Sequence, residues 1–336
     1  MTGVLTRTER VAENLNSALH GLLEADPSAY VLGEDLADPY GGAFKVTRGL
    51  STRFPDRVLS TPLSESGIVG VAGGLALAGD TAVVEIMFSD FVALAFDQIL
   101  NFATKSVSMY GTRVPMRLVV RCPTGGGRSY GPTHSQSLQK HFVGIAHLSL
   151  FETSPFRDNA EVLAEALATG EPSVLFEDKV LYAQRMFRDG VVDDVLRYDV
   201  LPDGTARVFV DDPDEYDCVL VAPGGVAARA LAAARSLLME DEITCLVLVP
   251  SRLYPFTAPV PRARFVCVVE EGTAGGTWGA EVAHRLHATM WGSLAAPVRL
   301  VHSAAAIVPT APHLERRVLV QAADVQRAVK ELVTGA

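Results

Sequence analysis

The sequence predicts an α/β fold of two domains, each built on a largely parallel sheet. The chain has 336 residues, of which 49% are hydrophobic and 20% charged. That length exceeds one ordinary domain, and that composition is typical of a well-buried globular protein. Short apolar runs alternate with helical patterns along the whole chain, which indicates parallel strands joined by helices. A polar, Asp-rich interval puts the boundary near residues 185–200 and gives domains of about 1–190 and 200–336.

Each predicted strand is a short apolar run that ends in polar or turn-forming residues. In the first half these runs are AYVLGED from residue 29, TAVVEIMF from 81, MRLVVRC from 116 and PSVLFED from 172. In the second half they are CVLVAP from 218, TCLVLVP from 244 and RFVCVVEE from 264. Helical periodicity predicts the connecting helices at about 65–78, 90–109, 158–169, 225–239 and 277–290.

Charge and cysteine content argue against several classes of protein. The formal net charge of −10 is unlike that of a nucleic-acid-binding protein, which normally has a basic face. The four cysteines stand apart in or beside apolar runs, so we expect buried, reduced thiols rather than disulfides or metal ligands. The N-terminal MTGVLTRTERVAENLNSALHGLL has the pattern of an amphipathic helix, with no apolar core of signal-peptide length. A cytoplasmic protein without a membrane segment is the simplest interpretation.

One carboxylate stands at the start of a run that otherwise avoids charge. The stretch TPLSESGIVG, at 61–70, contains Glu65 and is followed by small and apolar residues as far as Gly79. One interpretation is structural, because Ser64 can cap a helix and Glu65 favours the positive end of the helix dipole. The other interpretation is functional, and this stretch alone leaves both open.

A glycine-rich stretch in the first half is a candidate active-site loop. The segment CPTGGGRSYGPTHSQS, at 122–137, follows directly on a buried strand, where the active-site loops of α/β folds gather. It is not a phosphate loop, because no G-K-[ST] follows its glycines. His134 in this segment is either a catalytic group or a surface or packing residue.

Two other stretches have both a structural and a functional interpretation. In EIMFSDFVALAFDQI, at 85–99, the aromatic residues have approximately helical spacing, and we expect most of them in the core. In VVEEGTAGGTWGAEVAHRL, Glu270 and Glu271 end a strand and are followed by Gly275–Gly276. That loop is either an anion site at a helix N-terminus or a structural turn.

Several motifs together identify a family. They are VLGEDLADPYGGAFKVTRGL, TPLSESGIVGVAGGLALAG, EIMFSDFVALAFDQI, GGGRSYGPTHSQS and PSVLFEDKVLY, with EEGTAGGTWGAEVA in the second half. With these motifs the chain closely resembles the beta subunit of the thiamine-diphosphate-dependent decarboxylating component of 2-oxo acid dehydrogenases. Pyruvate, branched-chain 2-oxo acid and acetoin dehydrogenases belong to this group. The resemblance implies a parallel-sheet domain that binds the pyrimidine of thiamine diphosphate, followed by a transketolase C-terminal-like α/β domain.

The resemblance also implies roles for individual residues. The carboxyl group of Glu65 is expected to hydrogen-bond the aminopyrimidine nitrogen and so promote loss of the proton from the thiazolium carbon. Phe91 is expected to stack on the pyrimidine ring. His134 is expected to face the substrate, where it stabilises charge on the 2-oxo acid and moves a proton during acyl transfer to a lipoyl disulfide. Glu34 matches the family's GED element and is expected to support the cofactor site from behind.

Two positions depart from the family pattern. Met87 stands at the cofactor site where many relatives have glutamine, so we expect a polar contact near the pyrimidine to be missing. Thr169 stands about where some relatives use an aspartate to hold a monovalent cation. We therefore do not predict a potassium site.

The resemblance gives the small residues after Glu65 a reason. Several glycines leave one face of the predicted helix nearly bare, namely Gly67, Gly70, Gly73 and Gly74. A bare face lets another helix approach closely. We therefore expect this helix at a subunit interface.

The chain lacks the segment with which thiamine-diphosphate enzymes hold the diphosphate and its magnesium. That segment has a GDG…NN pattern, whose carboxylate and amide oxygens suit a hard cation, and neither AGDTA nor LPDGTA matches it. The resemblance therefore implies that an alpha subunit supplies the Mg²⁺ site in an α2β2 heterotetramer. A lipoyl acyltransferase is the further partner that it implies.

The predicted function is decarboxylation of a 2-oxo acid and transfer of its acyl group to a lipoyl acceptor, together with the alpha subunit. Two alternatives stay open. The chain could belong to a dedicated biosynthetic pair with a non-lipoyl acceptor, or it could be a non-catalytic scaffold subunit. The presence of both Glu65 and His134 argues against the scaffold. The sequence does not identify the 2-oxo acid or the acyl acceptor.

Overall fold

The computed structural model describes residues 9–335 and has the predicted α/β class. The strands of the first half are β1 (Ala29–Glu34), β2 (Val58–Thr61), β3 (Thr81–Glu85), β4 (Leu118–Thr124), β5 (Ser149–Glu152) and β6 (Ser173–Asp178). Those of the second half are β7 (Arg197–Val200), β8 (Ala206–Phe209), β9 (Cys218–Val221), β10 (Cys245–Val249), β11 (Arg252–Tyr254), β12 (Phe265–Thr273) and β13 (Arg299–Ser303).

The helices connect these strands and cover the sheets. In the first half they are α1 (Val11–Ala25), α2 (Leu50–Arg53), α3 (Glu65–Ala78), α4 (Thr104–Ser106) and α5 (Asn159–Ala168). In the second half they are α6 (Gly224–Asp241), α7 (Trp278–Met290), α8 (Pro312–Val318) and α9 (Ala322–Thr334). The N-terminal helix predicted from sequence is present from Val11. Residues 1–8 of the stretch for which it was predicted lie outside the described residues. No helix in residues 9–335 is long and apolar enough to cross a membrane.

The first sheet sets the position of the candidate site. Within the described residues it has seven strands in the order β11-β5-β6-β4-β3-β1-β2. Strands β1 to β6 are parallel to their neighbours, whereas β11 pairs antiparallel with β5. Because parallel strands all end at the same edge of a sheet, the loops that follow them meet there.

The second sheet follows the same plan with an antiparallel extension. In the described part of the chain it has six strands in the order β13-β12-β9-β10-β8-β7. Strands β9, β10, β12 and β13 form its parallel part, and β7 and β8 add an antiparallel hairpin from the Asp-rich interval. Since β11 belongs to the second half of the chain but joins the first sheet, the two halves are directly connected.

The helix expected at 90–109 is not continuous. Residues Ser89–Ala95 form a 3-10 helix and Gln98–Ala103 a π-helical segment, before the short α4. The side chains of Ser89 and Asp90 are buried and form hydrogen bonds with Gln136 in the loop after β4. These tertiary hydrogen bonds turn both residues inward and override the helical spacing of the sequence.

Helix α3 begins at Glu65 as predicted, but its start differs in one detail. Ser64 makes no capping hydrogen bond with its side chain; its backbone N–H donates to Glu34 instead. On the glycine face, a Cβ added to Gly73 would lie 2.5 Å from the ring of Phe102, so the close approach there is made within the same chain. The contact of this helix with another subunit stays a prediction.

The four cysteines are buried, as the sequence predicted. Cys122, Cys218, Cys245 and Cys267 are all buried free thiols. Burial raises the pKa of both Cys245 and Cys267 to about 12. Thiols of this kind are packing groups and not nucleophiles.

Candidate active site

The carboxyl edge of the first sheet gathers acidic side chains from neighbouring elements. Strand β1 ends at Glu34, β3 ends at Glu85, and α3 begins with Glu65 shortly after β2. In the parallel pairing, Glu34 is opposite Thr61 of β2 and Gly33 is opposite Glu85. The register of three strands therefore brings these carboxylates to one end of the sheet.

Glu34 and Glu65 form an interacting pair. Burial raises the pKa of Glu34, and the negative charge of Glu65 raises it further, while a hydrogen bond from the Ser64 N–H opposes both effects. Glu34 is only 5% exposed, and its Oε1 has no hydrogen-bond partner. A buried polar atom without a partner is costly, so this position suits a ligand that can donate a hydrogen bond.

Two aromatic rings and His134 form a second group at this edge. The ring of His134 meets Phe88 edge-on at 4.8 Å and Phe91 edge-on at 5.2 Å between centroids. Its Nδ1 lies 3.0 Å from the hydroxyl of Thr133. Two predicted site residues, Phe91 and His134, are therefore in contact. Met87 is half-buried and precedes Phe88 directly.

The loop that carries His134 is fixed from inside the first domain. The backbone N–H and the side-chain amide of Gln136 donate to Oδ1 of Asp90, at 3.3 and 2.9 Å. The hydroxyl groups of Ser89 and Thr124 lie within 3.2 Å of the Gln136 carbonyl. These bonds hold the loop against the segment that contains Phe88 and Phe91.

Sequence reasoning missed a buried ionic network beneath the site. The Arg121 guanidinium is fully buried and donates to Glu177 at 2.7 and 2.9 Å and to Glu85 at 2.9 Å. Tyr182 donates its hydroxyl to the same Glu177, at 2.6 Å. Charged residues at the ends of otherwise apolar strands were the available signal, since β3 ends in VVE, β4 contains VVRC and β6 contains LFED.

Lys179 was also missed, although it directly follows β6. Its side chain is fully buried, and its Nζ has no hydrogen-bond partner. Nζ lies 5.6 Å from the centroid of the Phe88 ring, which also contacts His134. Burial lowers the pKa of Lys179 to about 8, opposed by the nearby charges of Asp178 and Asp90.

The second sheet has its own glycine loop, but there a carboxylate of the chain takes the place that a bound anion would have at the start of α7. Thr277 caps α7, and Glu270 accepts hydrogen bonds from the N–H groups of Trp278 at 3.3 Å and Gly279 at 2.7 Å. Gly275 and Gly276 have φ values of +91° and +57°, which favour glycine. Of the two interpretations of this loop, the structural turn is the one supported.

Acidic residues also line a small cavity between the two sheets. Its volume is about 20 Å³, enough for one water molecule. Glu152, Asp178, Glu270 and Glu271 contribute to its wall. Burial raises the pKa of Glu152 to about 7 and that of Asp178 to about 8, although the Gly225 N–H opposes the shift at Glu152.

The comparisons with known proteins agree with this architecture. Residues 10–184 match the family profile of the transketolase pyrimidine-binding domain, and residues 208–325 match that of the transketolase C-terminal domain. A solved split-gene transketolase, described as an inactive beta4 tetramer, is similar with a TM-score of 0.70. Its sequence identity is 20%, and the match covers 98% of this chain and 99% of the other.

Two curated relatives are closer in sequence. The mitochondrial pyruvate dehydrogenase E1 component subunit beta-1 of Oryza sativa subsp. japonica is 31% identical, over 95% of this chain and 85% of its own. The beta subunit of acetoin:2,6-dichlorophenolindophenol oxidoreductase of Cupriavidus necator is 31% identical, over 96% of each chain.

Fold and family profiles together define a transketolase-like chain, with a pyrimidine-binding domain followed by a transketolase C-terminal domain. More narrowly, it belongs to the family of E1 beta subunits of 2-oxo acid dehydrogenases, as the sequence motifs predicted.

Proposed function

We propose that this chain is the beta subunit of a cytoplasmic, thiamine-diphosphate-dependent 2-oxo acid dehydrogenase. With an alpha subunit it decarboxylates a 2-oxo acid and transfers the acyl group to a lipoyl acceptor. The observation that carries the proposal is the Phe91–His134 ring contact at the same sheet edge as the Glu34–Glu65 pair. The two domains of the chain comprise residues 1–190 and 200–336.

The residues at this edge fit the pyrimidine half of the cofactor. In the bound state Glu65 would hydrogen-bond the aminopyrimidine nitrogen, Phe91 would offer a ring for stacking, and Met87 would add an apolar contact. Glu34 keeps its proton to higher pH than an ordinary glutamate, which lessens charge repulsion at Glu65. When bound, thiamine diphosphate supplies a carbon nucleophile and an electron sink for decarboxylation.

His134 acts on the substrate side of the site. The Nδ1 atom of His134 lies 3.0 Å from the Thr133 hydroxyl, and with that hydroxyl as the donor the imidazole carries its proton on Nε2. The Nε2–H group then stabilises negative charge on the 2-oxo acid and exchanges a proton during acyl transfer. Contacts with Phe88 and Phe91 fix the plane of the imidazole ring.

The phosphate half of the site requires a second polypeptide. The sequence contains no G-D-G segment, so we assign the Mg²⁺ and diphosphate ligands to an alpha subunit in an α2β2 heterotetramer. The diphosphate is the most charged end of the cofactor. Leaving it in water forfeits several charge-assisted hydrogen bonds, each worth roughly 1.5–3 kcal/mol.

Calorimetry on the purified chain tests this division of the site. Alone, the chain should bind thiamine diphosphate weakly or not at all and show no decarboxylase activity. Co-expression with an alpha chain that has a GDG segment should restore Mg²⁺-dependent binding and activity together. Tight, Mg²⁺-dependent binding by the lone chain would overturn the split site, and a reconstituted pair that binds cofactor without turnover would favour the scaffold alternative.

A further inference from the structure

The loop that carries His134 is also held from the second domain. Three backbone N–H groups of its glycine-rich segment donate hydrogen bonds to carboxylates that are far away in the sequence. Gly126 N–H donates to Glu271 at 2.7 Å, Gly127 N–H to Glu315 at 2.9 Å, and Ser129 N–H to Glu315 at 3.1 Å. The loop therefore lies between two domains that both determine its position.

Glu315 is directed at this loop. It lies in α8 and is only 3% exposed. Its Oε1 accepts from Gly127, and its Oε2 accepts from the N–H and the hydroxyl of Ser129. A buried carboxylate is costly unless it is hydrogen-bonded, and the loop supplies these bonds. Glu271 differs, because it also forms an ion pair with Arg229.

The glycines allow this close contact. A Cβ added to Gly126 would lie 2.5 Å from Leu319, the residue after α8, and one added to Gly131 would lie 2.6 Å from the Thr310 hydroxyl. Gly131 also has a φ of +81° and accepts a hydrogen bond from the His134 N–H at 3.3 Å. The segment from Gly126 to His134 is therefore a short, constrained connection from α8 to the imidazole.

We propose that Glu315 is a positioning residue for His134. It accepts hydrogen bonds from the N–H groups of Gly127 and Ser129 and so fixes the position of the loop relative to the sheet edge. The imidazole is thereby kept in contact with Phe88 and Phe91. The second domain thus takes part in the reaction through one buried carboxylate. This inference rests on the proposed role of His134 in the reaction.

The test uses Glu315→Ala and Glu315→Gln in the reconstituted heteromer, with Glu331→Ala as control. Glu331 lies in α9 of the same domain, and its side chain is 44% exposed. Misplacement of a catalytic group by about 1 Å can cost on the order of 10²-fold, so Glu315→Ala should lower kcat by about that factor. The KM for the 2-oxo acid should stay within about twofold. Glu315→Gln retains one acceptor oxygen and should lose less activity.

Two further measurements separate positioning from mere structural support. In a His134→Ala background, Glu315→Ala should cause little additional loss of kcat, because a residue that acts through another is not additive with it. Hydrogen exchange of the lone chain should show faster exchange at the amides of Gly127 and Ser129 in Glu315→Ala and no change in Glu331→Ala.

The outcomes distinguish this inference from the proposed function. If the wild-type heteromer does not turn over a 2-oxo acid, the proposed function fails first. If it does, and Glu315→Ala lowers only the melting temperature, or its effect adds fully to that of His134→Ala, then Glu315 is not a positioning residue. Should Glu315→Ala fail to fold, the same comparison with Glu315→Gln decides.

Discussion

The carboxyl edges of the two sheets contain similar residues but differ in hydrogen bonding. Buried polar atoms lack partners at the first edge and have them at the second. At the first edge, buried polar atoms without a hydrogen-bond partner accumulate, among them Glu34 Oε1, Asp90 Oδ2 and Lys179 Nζ. At the second edge, Glu270 accepts two backbone hydrogen bonds from the start of α7. Across the described residues, β12 and α7 contain no buried side-chain polar atom without a partner.

This difference indicates which of the two glycine loops is the better candidate for a binding site. Both edges have glycines and acidic groups after parallel strands, so composition alone does not separate them. Where the polar groups of an edge are already hydrogen-bonded within the chain, they stabilise the adjoining helix. Where they lack partners, they are available to bind a ligand. Among the contacts between the edges, those of Glu271 and Glu315 hold the loop of the candidate site through their carboxylates.

The strongest test of the comparison is Glu65→Gln at the first edge. An amide cannot supply the proton equilibrium of a carboxyl group, so turnover should fall by about 10⁴-fold, the upper end for general acid–base groups. Hydrogen–deuterium exchange at the thiazolium carbon of bound cofactor is the direct measurement. The control is Glu24→Gln, an exposed glutamate in a surface ion pair. Wild-type exchange in the variant would restore the helix-start interpretation of Glu65.

A somewhat smaller effect is expected for His134→Ala. Reaction with the 2-oxo acid or acyl transfer should slow by roughly 10²- to 10³-fold, with cofactor binding nearly unchanged. Single-turnover kinetics separate these steps, and His284→Ala, at an exposed position of α7, is the matched control. Retained specific activity with a lowered melting temperature would make His134 a packing residue.

The pH dependence of stability tests the boundary between the two edges, where Glu152 lies. Burial raises its pKa from 4.5 to about 7. Between these values the folded protein holds a proton that the unfolded chain has lost, so this contribution to stability falls as pH rises. The melting temperature of the wild type should therefore fall more between about pH 5 and pH 7 than that of Glu152→Gln. Exposed Glu161→Gln is the control, and equal slopes in all three proteins would contradict the expectation.

The smallest effect is expected at the second edge. Thr277 caps α7 by accepting a hydrogen bond from Ala280, so Thr277→Ala should cost about 0.5–2 kcal/mol of stability. The kcat of the reconstituted enzyme should not change. Thr289→Ala, exposed near the end of the same helix, is the control. A large loss of kcat at wild-type stability would show that the second edge is also functional.

Much of the fold was predictable because strong local signals and tertiary contacts agree. The apolar runs from residues 81 and 172 match β3 and β6, and the helix predicted at 65–78 has the bounds of α3. The helix predicted at 90–109 was not continuous, because the buried side chains of Ser89 and Asp90 form hydrogen bonds with Gln136 in the loop after β4. Short strands such as β2 were missed because four residues carry too little periodicity.

By itself, the sequence determined the α/β class, the family and the candidate residues, because ordered motifs and apolar periodicity are local properties of the chain. It could not show that Phe91 touches His134, that Arg121 joins Glu85 to Glu177, or that Glu315 reaches the glycine loop. Those contacts join residues far apart in the sequence. Only strand order and register, together with the packing of the second domain on the first, bring their side chains within hydrogen-bond or ring-contact distance.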